Sequence, residues 1–336
     1  MRAATLRGPR ELVIEEVPVP APADGEVLME VERVGVCGTD VELFTGEMAY
    51  LHTGHASYPL RPGHEWCGRV TAVGRGVDAA WVGRRVTGDT MLGDQTCARC
   101  RRGRQHLCDE REEVGIRRRA GALAGYLTMP VWSLHRLSDN VDAAMGAMVE
   151  PGGNAYRAVR ASGVRDGDRL LVLGPGTIGL LAALFGRAAG AEVHVLGLPG
   201  PHLDLATKLG FAGVWTEASL PDLAYDAVIE ASTSAELPAV AAEIVEPGGR
   251  VVFVGLAGQP SLVDTRQLAM KDVTAVGVLS ASPGLAATIK AYASGTVDPR
   301  PLVAGTVALD DVAGVLSGER PAGVDGAPKI QVDPAA

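Results

Sequence analysis

The feature that most restricts how this chain can fold is a six-residue run, Gly174-Pro175-Gly176-Thr177-Ile178-Gly179. A short apolar stretch, RLLVLG (Arg169 to Gly174), leads into it. A helical stretch, Ile178 to Ala189, leads out, with Leu181, Leu184 and Phe185 at helical spacing. A second apolar run, AEVHVLG, follows at the distance a strand–helix–strand unit requires. Uninterrupted apolar runs mark strands covered on both faces. YDAVIEAS (Tyr225 to Ser232) and GRVVFVGL (Gly249 to Leu256) repeat that pattern, with a helical LPAVAAEIV between them. LDLATKLG reads as a helix stopped by Gly210. Alternating strands and helices predict a doubly wound parallel sheet of the Rossmann type.

In that setting each glycine has a task. Gly174 permits the tight turn, Gly176 lets a pyrophosphate approach the backbone, and Gly179 lets the helix pack on the strand. Thr177 and Ile178 open the helix, whose first amides and partial positive charge suit phosphate. A dinucleotide is therefore the expected ligand. An acidic residue about 20 positions on would take the ribose hydroxyls. The count lands on Gly197, in LGLPGPHLD, with no carboxylate and no Arg before Asp204. His202 is a weak partner for a 2′-phosphate. The reading leans to NADP over NAD, and Gly197→Asp is expected to shift the preference toward NAD.

The chain changes character near residue 150. Before it, short alternating segments recur: Leu12 to Pro20, Glu26 to Val36, Cys67 to Gly74 and Arg84 to Thr90, separated by Pro and Gly. They predict a β-rich barrel or sandwich. From about Gly284 the elements are short and mixed, and the closing KIQVDP is expected to return to the N-terminal sheet. The 336 residues suit two domains. A net charge of −9 is a poor match for nucleic acid or anionic membrane. No stretch reads as membrane-spanning, and the N-terminus lacks a signal-peptide apolar region, so a cytoplasmic location is expected. Five cysteines, an odd and sparse set, point to metal or catalysis rather than disulfides.

Four of those cysteines fall into two groups. Cys37 in GVCGTD stands with His64-Glu65 in PGHEW and with Glu150, where the β region ends. One thiolate, one imidazole and carboxylates form a mixed donor set of the open, catalytic zinc type. The second group is Cys97-x-x-Cys100-x7-Cys108, with Asp94 three residues ahead to supply a fourth, oxygen donor. Cys67 belongs to neither and reads as a buried strand thiol.

Together these segments resemble the zinc-dependent medium-chain dehydrogenases/reductases over essentially the whole length. The matching pieces are GVCGTD, PGHEWCGRV, the cysteine lobe, VEP, GPGTIG, GLAGQP and PKIQVDP. The resemblance implies a GroES-like β-rich catalytic domain at 1–150 with a zinc lobe near 91–110, a Rossmann domain at 151–284, and a return to the catalytic domain at 285–336. It implies Cys37, His64, Glu65 and Glu150 as catalytic zinc positions, Thr39 as the proton-relaying hydroxyl, and Asn154 beside the nicotinamide. It also implies a structural zinc on Asp94, Cys97, Cys100 and Cys108, and a homodimer or homotetramer. The expected activity is hydride transfer between NAD(P) and a secondary alcohol of a polyol, sugar or (amino)cyclitol. An aldehyde or ketone reductase of the same fold is one alternative, and a non-catalytic nucleotide-binding regulator is another.

Two departures stand out. Asp94 occupies the first of four positions that are usually Cys, and Glu42 stands where sorbitol and threonine dehydrogenases usually carry the relay His. The resemblance to 2-deoxy-scyllo-inosamine dehydrogenase is partial. Glu42, Glu47, Tyr50 and His52 near the first group suit either a hydroxylated substrate or a solvated loop. The basic residues Arg99, Arg101, Arg102, Arg104 and Arg117 to Arg119 suit either an anionic partner or a solvated surface.

Overall fold

The computed structural model describes residues 1–336, in two compact units. The first comprises Met1–Glu150, Val303–Asp325 and Lys329–Ala336, and the second Pro151–Leu302 with Gly326–Pro328.

The first unit is built on a seven-stranded sheet. Its order is Leu134–Arg136, Arg85–Gly88, Glu65–Val73, Glu26–Gly35, Lys329–Asp333 and Val303–Ala308, with Tyr126–Pro130 also paired to Glu26–Gly35. All pairings are antiparallel except the last, Val303–Ala308 with Lys329–Asp333. Along Glu26–Gly35 the buried side chains alternate through Val27, Met29 and Val31, as a strand with one core face requires. The closing KIQVD does rejoin this sheet, Gln331 and Val332 lying opposite Gly35 and Val34. Leu12 to Pro20 forms a shorter strand than its alternation suggests, Glu11–Glu16, because Pro18 and Pro20 end the pairing.

The second unit holds a six-stranded sheet, all parallel. Its order is Gly213–Trp215, Glu192–Leu196, Arg169–Leu173, Tyr225–Glu230, Val245–Phe253 and Thr274–Gly277. Chain order reverses at Arg169–Leu173, which places the doubly-wound switch point at the end of that strand. The core joins Leu171, Leu173, Leu196, Tyr225, Val228 and Val251.

The return to the first unit begins at Val303, not near 285. Leu285–Ala293 is a helix of the second unit, held there by close packing. A Cβ on Gly152 would fall 2.2 Å from the Tyr292 hydroxyl, and one on Gly153 3.1 Å from Leu285. Tyr292 also stacks on Phe185. No helix is long and apolar enough to cross a membrane.

Candidate active site

The structure brings Cys37, His64 and Glu65 together, with one donor atom from each lying within 4.8 Å of the others. Two elements position them. Cys37 ends the loop after strand Glu26–Gly35 and precedes helix Gly38–Thr45, while His64 stands just before the neighbouring strand, Glu65–Val73, and Glu65 opens it. Asp40, fully buried, ties the two segments. Its carboxylate accepts the Cys37 amide at 3.0 Å and the Gly63 amide at 3.0 Å. It also lies 3.5 Å from His64 Nδ1, which leaves Nε2 as the imidazole donor atom. Burial opposes charge on both partners. The pairing overrides it, holding Asp40 below the usual carboxylate range and raising His64 well above its ordinary pKa. A carboxylate behind an imidazole ligand fixes its tautomer and orientation.

A second buried ion pair backs the third donor. Lys329 Nζ donates to Glu65 Oε2 at 2.5 Å and to the Val36 carbonyl at 2.8 Å. Burial would lower the Lys329 pKa, but Glu65 and Cys37 outweigh it and raise it. Gly35 makes room, since a Cβ there would meet Glu65 Oε2 at 2.1 Å. Neither Asp40 nor Lys329 was singled out from sequence. The available signals were an acid three residues after Cys37 and a lone Lys opening the apolar KIQV.

Glu150 lies outside the trio, buried at the second position of helix Val149–Ser162. Thr39 is half-buried in the first turn of helix Gly38–Thr45. Glu42 follows on the same helical face. Burial first, then the Glu47 carboxylate, raises its pKa. The Tyr50 hydroxyl pairs with Arg111 at 3.0 Å and Glu113 at 3.3 Å, whereas Glu47 and His52 are exposed.

Asp94, Cys97, Cys100 and Cys108 also gather their donor atoms within 4.8 Å. Asp94 Oδ1 accepts the Cys97 amide at 2.9 Å and the Thr96 amide at 2.8 Å, which depresses the Asp94 carboxyl pKa strongly, the Cys97 amide most. The Cys100 amide lowers the Cys97 thiol, while burial, then Asp94, pushes Cys100 up to about 12. Gly93 allows the lobe to close, because a Cβ there would sit 2.5 Å from Cys100 Sγ. Cys67 is fully buried in its strand, and all five cysteines are free thiols.

In the glycine turn the three positions differ as the chemistry requires. Gly174 adopts φ +95°, the left-handed region. A Cβ on Gly179 would meet the Gly174 carbonyl at 1.9 Å. A Cβ on Gly176 would meet nothing within 4 Å, so the backbone there faces open space at the start of helix Thr177–Ala188. That open cradle fits a pyrophosphate on the helix amides. Asn154 lies in helix Val149–Ser162. Gly197 directly follows strand Glu192–Leu196, but it is buried, and a Cβ would fall 2.4 Å from Pro175 Cδ. The expected Gly197→Asp exchange therefore cannot be made without displacing the rigid Pro175 ring, and the side chain next in line, Leu198, is exposed.

Two family models match the chain: the alcohol dehydrogenase GroES-like domain over residues 23–139 and the zinc-binding dehydrogenase over 177–294. An L-galactonate-5-dehydrogenase of Escherichia coli K12 is 29% identical over 84% of both chains. An L-threonine 3-dehydrogenase of Saccharopolyspora erythraea is 33% identical over 83% of both. A zinc-binding dehydrogenase of Sinorhizobium meliloti, solved bound to NADP, superposes with a TM-score of 0.90 at 27% identity, covering 99% of each chain.

Proposed function

Because this chain belongs to the zinc-binding alcohol dehydrogenases with a GroES-like domain, enzymes that use NAD(P), we propose that it oxidises a secondary alcohol of a polyol, sugar or (amino)cyclitol. The observation that carries this reading is the convergence of Cys37, His64 and Glu65, a sulfur, nitrogen and oxygen set suited to a catalytic zinc. When bound, zinc supplies Lewis acidity that lowers the pKa of a hydroxyl.

The chain's own residues do the rest. Asp40 holds the His64 ring so that Nε2 is presented. Lys329 balances the charge of Glu65 within the buried strand pair. Glu150 stands in reserve as the alternative carboxylate ligand. Thr39 takes the hydroxyl proton, and Glu42 receives it, three residues on along the same helical face. A carboxyl raised by burial is closer to the working pH of a proton acceptor than an ordinary one. Gly174, Gly176, Thr177, Ile178 and Gly179 hold the pyrophosphate. Asn154 borders the nicotinamide and Gly197 the ribose, where the absence of a carboxylate favours NADP over NAD. Asp94, Cys97, Cys100 and Cys108 hold a second, structural zinc. Two or four copies assemble in solution.

The test combines elemental analysis with NAD(P)H formation on a polyol panel. The expected result is two zinc ions per chain and turnover of at least one cyclic or linear polyol. Full turnover by metal-free protein would overturn the reading, and a ratio near one, with three titratable thiols in the lobe, would remove the second site.

A further inference from the structure

Arg117, Arg118 and Arg119 have no part in the reaction proposed above. The fold sets them, with Arg61 and His55, around a cavity of about 510 Å³ in the first unit. No acidic side chain lines it. Its wall is fixed by backbone contact between two segments. The Gly121 amide donates to the Arg61 carbonyl at 2.8 Å and the Ala122 amide to the Gly63 carbonyl at 2.8 Å. Gly121 packs so closely that a Cβ would lie 2.2 Å from the Pro62 carbonyl oxygen. Arg118 is itself held at φ 57°, a conformation non-glycine residues seldom adopt.

The charges around this cavity are unevenly balanced. Arg119 is matched by Glu26 at 2.6 Å and Glu112 at 3.1 Å, and Arg118 by Glu110 at 3.2 Å on the exposed side. Arg117 and Arg61 have no such partner. Arg117 is 7% exposed, gives one Nη to the Asp109 carbonyl at 3.1 Å, and leaves its buried Nε unbonded. The Arg61 guanidinium makes no hydrogen bond, its Nε is buried, and Glu15 acts on it only from beyond ion-pair distance. Leaving buried donors of a cation unmet is costly. Two such groups bordering one acid-free cavity define a place where an oxyanion would relieve that cost. The guanidinium fork matches phosphate oxygens in pairs.

We propose that this cavity binds the phosphate group of a small molecule, gripped by Arg61 and Arg117 with Arg118 and His55 at its mouth. Arg61 stands three residues before His64, no more than about 11 Å along extended chain. The phosphate has two possible sources: a phosphorylated polyol substrate, or a free phosphate that binds as an effector. Binding is read without turnover, so the proposal stands or falls apart from the dehydrogenase reading.

The experiment is calorimetric titration of inorganic phosphate into the full chain loaded with zinc and NAD(P). Wild type is expected to bind one phosphate per chain. Arg61→Gln should weaken binding at least about tenfold, the loss of one charge-assisted pair, and Arg118→Gln about two- to fivefold. Arg266→Gln, exposed in the second unit, should change nothing. Arg117→Gln is expected to match Arg61→Gln, and if it fails to fold the other two variants still decide. No uptake at about 10 mM phosphate, weaker than any useful specific affinity, would overturn the proposal, as would wild-type binding in both Arg61→Gln and Arg118→Gln. Two further arms identify the source. If the phosphate belongs to substrate, Arg61→Gln raises KM for a hexitol phosphate and not for the parent hexitol. If it is a free effector, phosphate raises the Tm of wild type but not of Arg61→Gln, and KM is unchanged for both compounds.

Discussion

The two units build their sites in opposite ways. In the second unit the glycine turn is one unbroken run of six residues, 174–179, and each residue's role follows from its place between strand and helix. In the first unit the candidate metal trio is drawn from positions 37, 64 and 65, and the groups that steady it come from 40 and 329. One site is written locally, and the other exists only after a sheet has closed around it. The first should therefore tolerate damage elsewhere in the chain, whereas the second should fail when any of several distant positions changes.

The largest expected effect tests that independence. Cys37→Ala or His64→Ala should lower kcat/KM by about a thousandfold or more, roughly 4 kcal/mol of lost transition-state stabilisation. Nucleotide affinity, followed by cofactor fluorescence, should stay within about twofold, because the glycine turn and its parallel sheet are built wholly from residues of the second unit. A parallel fall in nucleotide affinity would break the contrast drawn between the units.

A second effect probes how far the metal trio depends on the closing strand. Lys329→Met leaves Glu65 buried beside an apolar side chain. Removing one partner of such a pair costs about 3–5 kcal/mol in unfolding free energy. The double variant Glu65→Gln with Lys329→Met should recover more than half of that. Equal instability in the single and double variants would show that Lys329 contributes packing rather than charge balance.

How much of this was legible follows from the same contrast. RLLVLG, GPGTIG and the later apolar runs predict the parallel sheet because burial on both faces erases alternation, and the observed strands fall on those runs. The first unit's candidate donors were visible as residue types, but not their supports. Asp40 looks like an ordinary helix-start acid until its carboxylate is seen bridging Cys37 and Gly63. Lys329 pairs across 264 positions, a relation no local pattern carries. Sequence counting placed Gly197 just past its strand, yet could not show that Pro175 fills the space a side chain would need. The boundary near 285 slipped to 303 because Leu285 and Tyr292 pack on Gly153 and Gly152, a contact between helices far apart in sequence.

Within the second unit the glycines separate fold from ligand binding. Gly179→Ala drives a methyl against the Gly174 carbonyl and should cost about 1–3 kcal/mol of stability, as overpacking does. Gly176→Ala meets open space, so its Tm should barely change while NAD(P) affinity falls at least about tenfold through obstruction of the phosphate approach. Thermal unfolding beside cofactor titration decides the matter. If Gly176→Ala binds normally, the open cradle is not the pyrophosphate site.

The smallest expected effect lies at the opposite rim of the same sheet. Glu192 accepts Arg169 at 2.9 and 3.2 Å and holds His194 Nε2 at 2.8 Å, while Trp215 donates to His194 Nδ1 at 3.0 Å. The Arg169 pair, followed by His194, pulls the Glu192 pKa from 4.5 down to about 2. A carboxyl depressed on folding contributes stability that is fully present above its unfolded value, and that stability is lost as pH falls through its folded value. The window is therefore about 4.5 down to about 2. Glu192 is exposed and Arg169 half-buried, so solvent screens the pair and the contribution at neutral pH should be about 1 kcal/mol or less. Glu192→Gln should lower Tm slightly at pH 7 and flatten the decline between pH 5 and pH 3, so that the two curves converge in acid. Parallel curves would show that the acid sensitivity comes from other carboxylates, with the buried Asp40 of the first unit next in line.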